Sequence, residues 1–168
     1  MKILGIDPGL AIVGYGMIEY RSPKFCTLAH GAILTPAHTE VEDRLKQIYD
    51  RLAEIIRLYK PDAAAIEELF FNTNQKTLIP VAEARGVILL CCKQLGVEVF
   101  EYTPLQVKQS VVGYGRADKK QVIHMVKLLL NLENPPKLDD TCDALAIAIC
   151  HANCSGSRIR SYFNQTKV

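Results

Sequence analysis

The chain has 168 residues, of which 49% are hydrophobic and 23% charged, so it is long enough to bury one substantial core. Its net charge is only +2, and no apolar run approaches the ~20 residues of a membrane-spanning helix. The N-terminal stretch MKILGID lacks the apolar region and cleavage site of a signal peptide, so we expect a cytoplasmic protein with buried, reduced cysteines. We expect one domain over residues 1–154, followed by a polar, flexible tail over residues 155–168.

Three β-rich runs open the chain. KILGID, IVGYGMIEY and FCTLAHGAIL are separated by the short turns DPG and RSPK, which predicts an antiparallel meander. Gly14 and Gly16 alternate along the second run, which indicates that another backbone approaches one face of that strand closely. Apolar residues then recur with a helical period from Val41 to Tyr59, and Pro61 ends this helix.

The second half of the chain alternates strands and helices. DAAAIEELFF and VEVFEYTP are short strand candidates on either side of a long helical run, LIPVAEARGVILLCCKQLG. After the glycine-rich loop GYGRA, the stretch DKKQVIHMVKLLLNL is helical with Asp118 as its N-cap, and DDTCDALAIAICHANC forms the last helix. The predicted order βββαβαβαα indicates a mixed α/β sheet flanked by helices, with parallel pairing after the meander.

Basic residues concentrate between residues 102 and 127. This segment contains one acidic residue, Asp118, and five basic residues: Lys108, Arg116, Lys119, Lys120 and Lys127. A basic stripe on an otherwise nearly neutral chain is compatible with a polyanionic partner such as nucleic acid. A solvated helix face would have the same composition, so the stripe alone leaves both interpretations open.

Carboxylates recur at the ends of three predicted elements. They are Asp7 after the first strand, Glu67 and Glu68 after the fourth strand, and Asp139, Asp140 and Asp143 at the start of the last helix. If the first and fourth strands are neighbours, their carboxyl ends bring these acids together. Like charges at close range raise one another's pKa, and a hard divalent cation such as Mg²⁺ relieves that repulsion through oxygen ligands. Two such ions can hold both the attacking water and the leaving oxygen of a phosphodiester.

Each acid also has an ordinary structural explanation. Asp7 could cap the DPG turn, and Asp139 or Asp140 could cap the last helix and interact with its dipole. Asp143 is harder to explain in this way because it opens the apolar stretch DALAIAIC within that helix. The recurrence of acids at three element ends favours one shared site over three separate caps.

Several motifs together indicate a family. GIDPG and GYG near the N-terminus are followed by AIEELFF, ARGV, EYTPLQVKQSVVGYG and DTCDALAIAI. In this order they resemble the RuvC family of Holliday junction resolvases over nearly the whole chain, from Lys2 to about His151. GIDPG alone also occurs in actin-like ATPases and other nucleases, whereas QVKQSVVGYG combined with DALAIAI is far more specific. The resemblance implies a ribonuclease-H-like fold.

The resemblance also implies a set of catalytic acids that hold Mg²⁺, with Mn²⁺ as a substitute and one or two ions per subunit. The positions that match the family's metal-binding acids are Asp7, Glu67, Asp140 and Asp143. Glu67 rather than Glu68 matches the family pattern I-E-x-x-F, and Asp140 rather than Asp139 matches D-x-x-D-A. Spacing alone leaves both of these choices open.

Five further residues are predicted to contact DNA. They are Phe70, Arg85, Lys108, Arg116 and Lys119. Phe70 stands where the family has an aromatic wedge against the bases at the junction centre, whereas Phe71 is expected in the core. Lys108 and Lys119 match family residues near the scissile backbone, where each would neutralise phosphate charge, solvated surface lysines being the ordinary alternative. Arg85 in ARGV is assigned either to DNA or to dimer packing.

The implied activity is the cleavage of four-way DNA junctions in recombination and repair. A homodimer would nick two strands of like polarity symmetrically and leave 5′-phosphate and 3′-hydroxyl ends, because its two-fold axis matches that of the substrate. The RuvA–RuvB branch-migration proteins are implied partners, and no membrane is involved.

Three other functions were weighed against this one: an RNA-processing nuclease of the same fold, an actin-like ATPase domain and a non-catalytic DNA-binding module. The chain lacks a second glycine-rich phosphate loop and is short for a two-lobed ATPase. The presence of all four matched acids argues against a non-catalytic module.

Overall fold

The computed structural model describes residues 1–69 and 75–155. Five strands form one sheet: β1 (Lys2–Asp7), β2 (Ile12–Arg21), β3 (Lys24–Leu34), β4 (Ala63–Glu67) and β5 (Glu98–Tyr102). The helices are α1 (Val41–Tyr59), α2 (Gln75–Gln94), α3 (Pro104–Val112), α4 (Lys119–Leu129) and α5 (Asp139–Ser155). Within those two ranges, no helix is both long enough and apolar enough to cross a bilayer.

The sheet has the strand order β3-β2-β1-β4-β5. β1, β2 and β3 pair antiparallel, whereas β4 pairs parallel with β1 and β5 parallel with β4. The predicted meander and mixed sheet are therefore confirmed. Ile6 pairs with Ile66, so the residues that follow them, Asp7 and Glu67, end neighbouring strands at the same edge of the sheet.

Helices cover both faces of the sheet. On one face α1 and α2 enclose a core that includes Leu4, Ile6, Ile48, Leu52 and Ile88. On the other face α3, α4 and α5 enclose a core that includes Ile3, Ala65, Val107, Val126 and Leu145. Side chains alternate between the faces along each strand, so Asp7 follows Ile3 and Glu67 follows Ala65 onto the α5 face.

Helix α5 lies directly against the sheet because glycines face it. A Cβ atom added to Gly5 would overlap the α5 backbone, and one added to Gly14 would overlap the carbonyl oxygen of Asp140. A Cβ atom added to Gly16 would lie 2.6 Å from the Cδ2 atom of Leu145. The close approach predicted from Gly14 and Gly16 is confirmed, and the approaching backbone is the N-terminal half of α5.

The predicted order of elements omits α3, and the structure corrects it. This helix begins with a capping box, in which the Thr103 hydroxyl accepts from the Gln106 N–H at 3.2 Å and the Gln106 side chain accepts from the Thr103 N–H at 2.8 Å. Pro104 supplies the first helical φ angle. The predicted N-cap of α4 is confirmed, because Asp118 accepts a hydrogen bond from the Gln121 N–H at 2.9 Å.

Some predictions fall beyond the described ranges. Phe70 and Phe71 lie outside them, as does the predicted tail after Ser155. Four cysteines are buried thiols, as expected: Cys91, Cys92, Cys142 and Cys150. The expectation of burial is wrong for Cys26, which is exposed because β3 is an edge strand.

Candidate active site

Asp7 is the most strongly perturbed carboxyl group of the site. Its pKa is raised to about 8, chiefly by burial and then by the carboxylates of Asp143, Glu67 and Asp140. The Lys119 ammonium opposes this shift. Asp7 therefore retains a proton near neutral pH although it lies at the edge of the sheet.

The acids on α5 are held against the strands by local contacts. Asp140 and Asp143 are three residues apart and share one side of the first helical turn. The missing side chain of Gly14 lets the Asp140 backbone approach β2, and the Thr141 hydroxyl donates to the Gly31 carbonyl of β3 at 3.0 Å. These contacts bring the start of α5 over the ends of β1 and β4.

Glu67 and Asp143 belong to the same electrostatic cluster. Burial is the main cause that raises the pKa of Glu67, and Asp143 raises it further, whereas Lys108 and Lys119 lower it. Burial also raises the pKa of Asp143 above its ordinary value, although its hydrogen bond to Lys119 acts in the opposite direction. The charges of these side chains are therefore coupled, as expected of a shared site.

The two members of each adjacent pair of acids have different surroundings in the structure. Glu68 is exposed, and its backbone N–H donates to the Tyr102 carbonyl at 2.9 Å. The Asp139 carboxylate points to Lys119, with 3.1 Å between Oδ2 and Nζ, and its side chain is 64% exposed. Glu67 and Asp140 are the members of each pair whose charges raise the pKa of Asp7.

The capping alternatives receive no support from the contacts. Across residues 1–69 and 75–155, no backbone amide donates a hydrogen bond to the Asp7 carboxylate. Helix α5 begins at Asp139, so neither Asp139 nor Asp140 precedes it as an N-cap.

Two lysines line a pocket beside the acids. The pocket has a volume of about 210 Å³ and is lined by Glu67, Pro104, Val107, Lys108, Lys119, Val122, Asp143 and Ile147. The Lys119 Nζ atom lies 3.1 Å from Asp139 Oδ2 and 3.2 Å from Asp143 Oδ2. The pocket thus combines carboxylates and ammonium groups, a combination suited to a phosphodiester bound together with a cation.

The other predicted DNA-contact residues differ in position. Arg116 is exposed in the loop between α3 and α4, at the rim that leads to Lys119. Arg85 lies on the opposite face of the sheet, where its Nη2 atom meets Glu101 Oε2 at 2.7 Å and its side chain is only 14% exposed. Phe70 is outside the described residues, so its role as a wedge stays a prediction.

The donor set fits a hard divalent cation by its chemistry. Four carboxylates supply oxygen ligands only, and like-charge repulsion among them is relieved by a bound cation. In the portion of the chain that the structure describes, no three aspartate, glutamate, histidine or cysteine side chains are already arranged to hold a metal ion.

Sequence reasoning missed two residues that support the site, Gly5 and Thr141, and one contact of Asp139, which it named only as a candidate acid. Gly5 and Thr141 hold α5 against the sheet, and Asp139 pairs with Lys119. A glycine within the apolar strand KILGID was a usable signal of close backbone approach. Nothing local in the sequence links Asp139 to Lys119 or Thr141 to β3.

Comparison with known proteins identifies the family. The family model described as crossover junction endodeoxyribonuclease RuvC matches residues 3–151. A protein of that name from Alkaliphilus oremlandii is 61% identical over 153 residues, which cover 91% of this chain and 93% of that protein. Another, from Caldanaerobacter subterraneus subsp. tengcongensis, is 56% identical over 153 residues, which again cover 91% of this chain and 93% of that protein.

Solved structures agree with this result. The structure of Thermus thermophilus RuvC has a TM-score of 0.86 and 34% identity, covering 93% of this chain and 96% of that chain. T. thermophilus RuvC in complex with Holliday junction substrate has a TM-score of 0.89 and 34% identity, covering 92% of this chain and 94% of that chain. The ribonuclease-H-like mixed α/β fold is thereby confirmed. The chain belongs to the RuvC family of crossover junction endodeoxyribonucleases.

Proposed function

We propose that this protein is a metal-dependent endonuclease that resolves four-way (Holliday) DNA junctions in recombination and repair. Membership of the RuvC family gives the enzyme class, a hydrolase that cuts phosphodiester bonds, and the family is metal-dependent. The observation that carries the assignment for this chain is its carboxylate cluster, in which Asp143, Glu67 and Asp140 raise the pKa of Asp7. Products with 5′-phosphate and 3′-hydroxyl ends fit the family.

The proposed catalytic and metal-binding residues are Asp7, Glu67, Asp140 and Asp143. The proposed ion is Mg²⁺, with Mn²⁺ as a substitute, at one or two ions per subunit. When bound, it would supply Lewis-acid activation of the attacking water and neutralise charge on the leaving oxygen. Asp7 becomes an anionic ligand only after it loses the proton that its raised pKa retains near pH 7.

The lysines of the pocket are proposed to meet the DNA backbone. Lys108 and Lys119 lie on the pocket wall with Glu67, so a phosphate bound there would be flanked by positive charge. Exposed Arg116 would extend this charge along the strand. The ion pair of Arg85 with Glu101, on the far face of the sheet, favours a packing role for Arg85 over a DNA contact.

A homodimer is proposed to bring two such sites to one junction. Ile79 and Leu90 are 66% and 52% exposed on α2, and Gly86 between them has open space where a side chain would be. An exposed apolar stripe of this kind suits an isologous contact between two copies of α2. The resulting two-fold symmetry would allow symmetric nicking of two strands of like polarity.

Two further proposals rest on family membership. We propose that the RuvA–RuvB complex delivers the junction to this enzyme. We also propose that it acts in the cytoplasm, where chromosomal DNA lies and where buried thiols stay reduced.

Cleavage of synthetic substrates tests the proposed function. The protein is incubated with a four-way junction, a linear duplex and an RNA/DNA hybrid, each with Mg²⁺ and with EDTA. We expect the junction alone to be cut, and only with Mg²⁺. Asp7→Asn should lower the rate at least roughly 100-fold, because several kcal/mol of charge stabilisation depend on the metal-binding acids.

Asp50→Asn is the matched control, since Asp50 is an exposed acid of α1 that pairs with Lys46. It should cut at the parental rate. Equal cutting of the linear duplex, or undiminished cutting by Asp7→Asn, would contradict the proposal.

A further inference from the structure

Two exposed apolar side chains lie on α3 and on the loop that follows it, and α3 also supplies residues to the active-site pocket. Leu105 on the first turn of α3 is 59% exposed, and Tyr114 in the loop between α3 and α4 is 46% exposed. Pro104, which precedes Leu105, and Val107, which lies two residues after it on α3, line the pocket. Both side chains are therefore accessible to a ligand that extends out of the pocket.

The loop that carries Tyr114 is held on both sides. Gly113 ends α3 with φ +95°, and its N–H donates to the Gln109 carbonyl at 2.9 Å. A Cβ atom added to Gly115 would overlap the Leu105 side chain, so the loop packs closely against the first turn of α3 at this residue. Ala117 is buried at the far end. Tyr114 is thus presented by an anchored backbone, which lowers the entropic cost of binding through its ring.

The charges around this loop favour a polyanion as the ligand. Arg116 is exposed two residues after Tyr114, and Lys120 is exposed at the start of α4. Lys108 and Lys119 continue the positive surface into the pocket. An exposed aromatic ring interleaved with cations is the combination that binds nucleic acid by stacking on a base while the cations contact the backbone.

We propose that Tyr114, together with Leu105, forms a platform on which a nucleobase of the junction stacks beside the strand that is cut. The proposal rests on the proposed function and deepens it, because it names how the site recognises DNA beyond the scissile phosphate. The ring face provides the interaction, so every base is accepted and the phenolic hydroxyl is not required.

Binding to a junction labelled with 2-aminopurine tests the platform. The fluorescent base is placed in turn at the positions flanking the cut, with Ca²⁺ in place of Mg²⁺ to prevent cleavage. The parental protein should change the fluorescence strongly at one or two adjacent positions. Tyr114→Ala should abolish that change and weaken junction binding roughly 5- to 100-fold. Tyr114→Phe should behave as the parental protein.

Leu105→Ala should weaken binding less than Tyr114→Ala, and Leu58→Ala serves as its control because Leu58 is 72% exposed on α1, a helix packed on the other face of the sheet. Circular dichroism melting of every variant checks that each is folded. If Tyr114→Ala binds the junction with the affinity of the parental protein and changes the fluorescence equally, the platform is overturned. Tyr114 and Leu105 would then be assigned to contact with a protein partner. If Tyr114→Phe loses as much junction affinity as Tyr114→Ala, the contact is made by the phenolic hydroxyl and not by stacking of the ring. Failure of the parental protein to bind junctions would instead overturn the proposed function.

Discussion

Asp7 illustrates how burial changes the chemistry of a single residue. At the end of an exposed strand it would ionise near pH 4, whereas here burial and three neighbouring carboxylates raise its pKa to about 8. The residue is therefore costly to ionise in the protein by itself and becomes easier to ionise when a cation is nearby. If Asp7 is a metal ligand as proposed, its protonation and cation binding are coupled.

The raised pKa of Asp7 predicts a specific pH dependence of stability. The folded-state pKa of about 8 exceeds the ordinary value of 3.8, so the folded state carries more protons between these pH values. In EDTA, the free energy of unfolding should therefore fall as pH rises through this window. Asp7→Asn should flatten the dependence and raise the melting temperature above that of the parental protein at pH 8.5.

Thermal melting at pH 5 and pH 8.5, with and without Mg²⁺, measures this effect. Mg²⁺ should raise the melting temperature of the parental protein at pH 8.5 and leave Asp7→Asn nearly unchanged. The explanation fails if, in EDTA, the melting temperatures of the parental protein and Asp7→Asn differ by the same amount at pH 5 and at pH 8.5.

At the scale of elements, the contact of α5 with β1 and β2 determines where two of the acids lie. Gly5 and Gly14 remove the side chains that would hold the helix away from the sheet. Asp140 and Asp143 reach the ends of β1 and β4 only because this contact is so close. These glycines are thus positioning residues rather than turn formers.

Gly14→Ala tests the positioning role. The added methyl group would overlap the Asp140 carbonyl, so we expect the first turn of α5 to shift and the cleavage rate to fall at least roughly tenfold. Mg²⁺ affinity, followed by the metal-induced rise in melting temperature, should fall as well. Overpacking of this kind should also lower the free energy of unfolding by about 1–3 kcal/mol.

Gly16→Ala separates positioning from general packing. Its added Cβ atom would lie 2.6 Å from the Leu145 Cδ2 atom and 3.1 Å from the Leu145 Cα atom, farther along α5 than the acids. We expect a loss of stability with a smaller loss of Mg²⁺ affinity. If both variants lose Mg²⁺ affinity equally, the acids are not positioned through Gly14 in particular.

At the scale of the whole molecule, a monomer leaves the apolar side chains of Ile79 and Leu90 on α2 exposed to solvent. It also offers only one active site to a four-armed substrate. Leu90→Glu should make the proposed dimer dissociate, because a charge on the 52% exposed Leu90 would be buried at the interface. Light scattering during gel filtration should show half the parental mass, and paired nicking of the junction should be lost. The circular dichroism spectrum at 25 °C should show a folded protein, since Leu90 is outside the core.

Leu58→Glu introduces the same charge at a 72% exposed position of α1 and should remain a dimer with parental activity. A parental mass for Leu90→Glu would exclude α2 as the two-fold contact.

Local patterns predicted most elements because their causes are local. The helical period over Val41–Tyr59 gave the bounds of α1, and the acidic residue Asp118 marked the start of α4. Helix α3 was missed because it has only nine residues, too few for a periodic pattern to stand out. Its T-P-x-Q start, Thr103 to Gln106, was the available signal.

By itself the sequence determined the family and the mixed α/β architecture, and it predicted the set of acids from which we propose the site is built. Only the tertiary structure decided that Glu67 and Asp140, rather than Glu68 and Asp139, are the acids that act on Asp7. It also decided that Arg85 faces Glu101 on the far side of the sheet. The physical reason is that turns, caps and helical periodicity depend on residues that are neighbours along the chain. The electrostatic potential at Asp7 depends instead on strands and a helix that come together from distant parts of the chain.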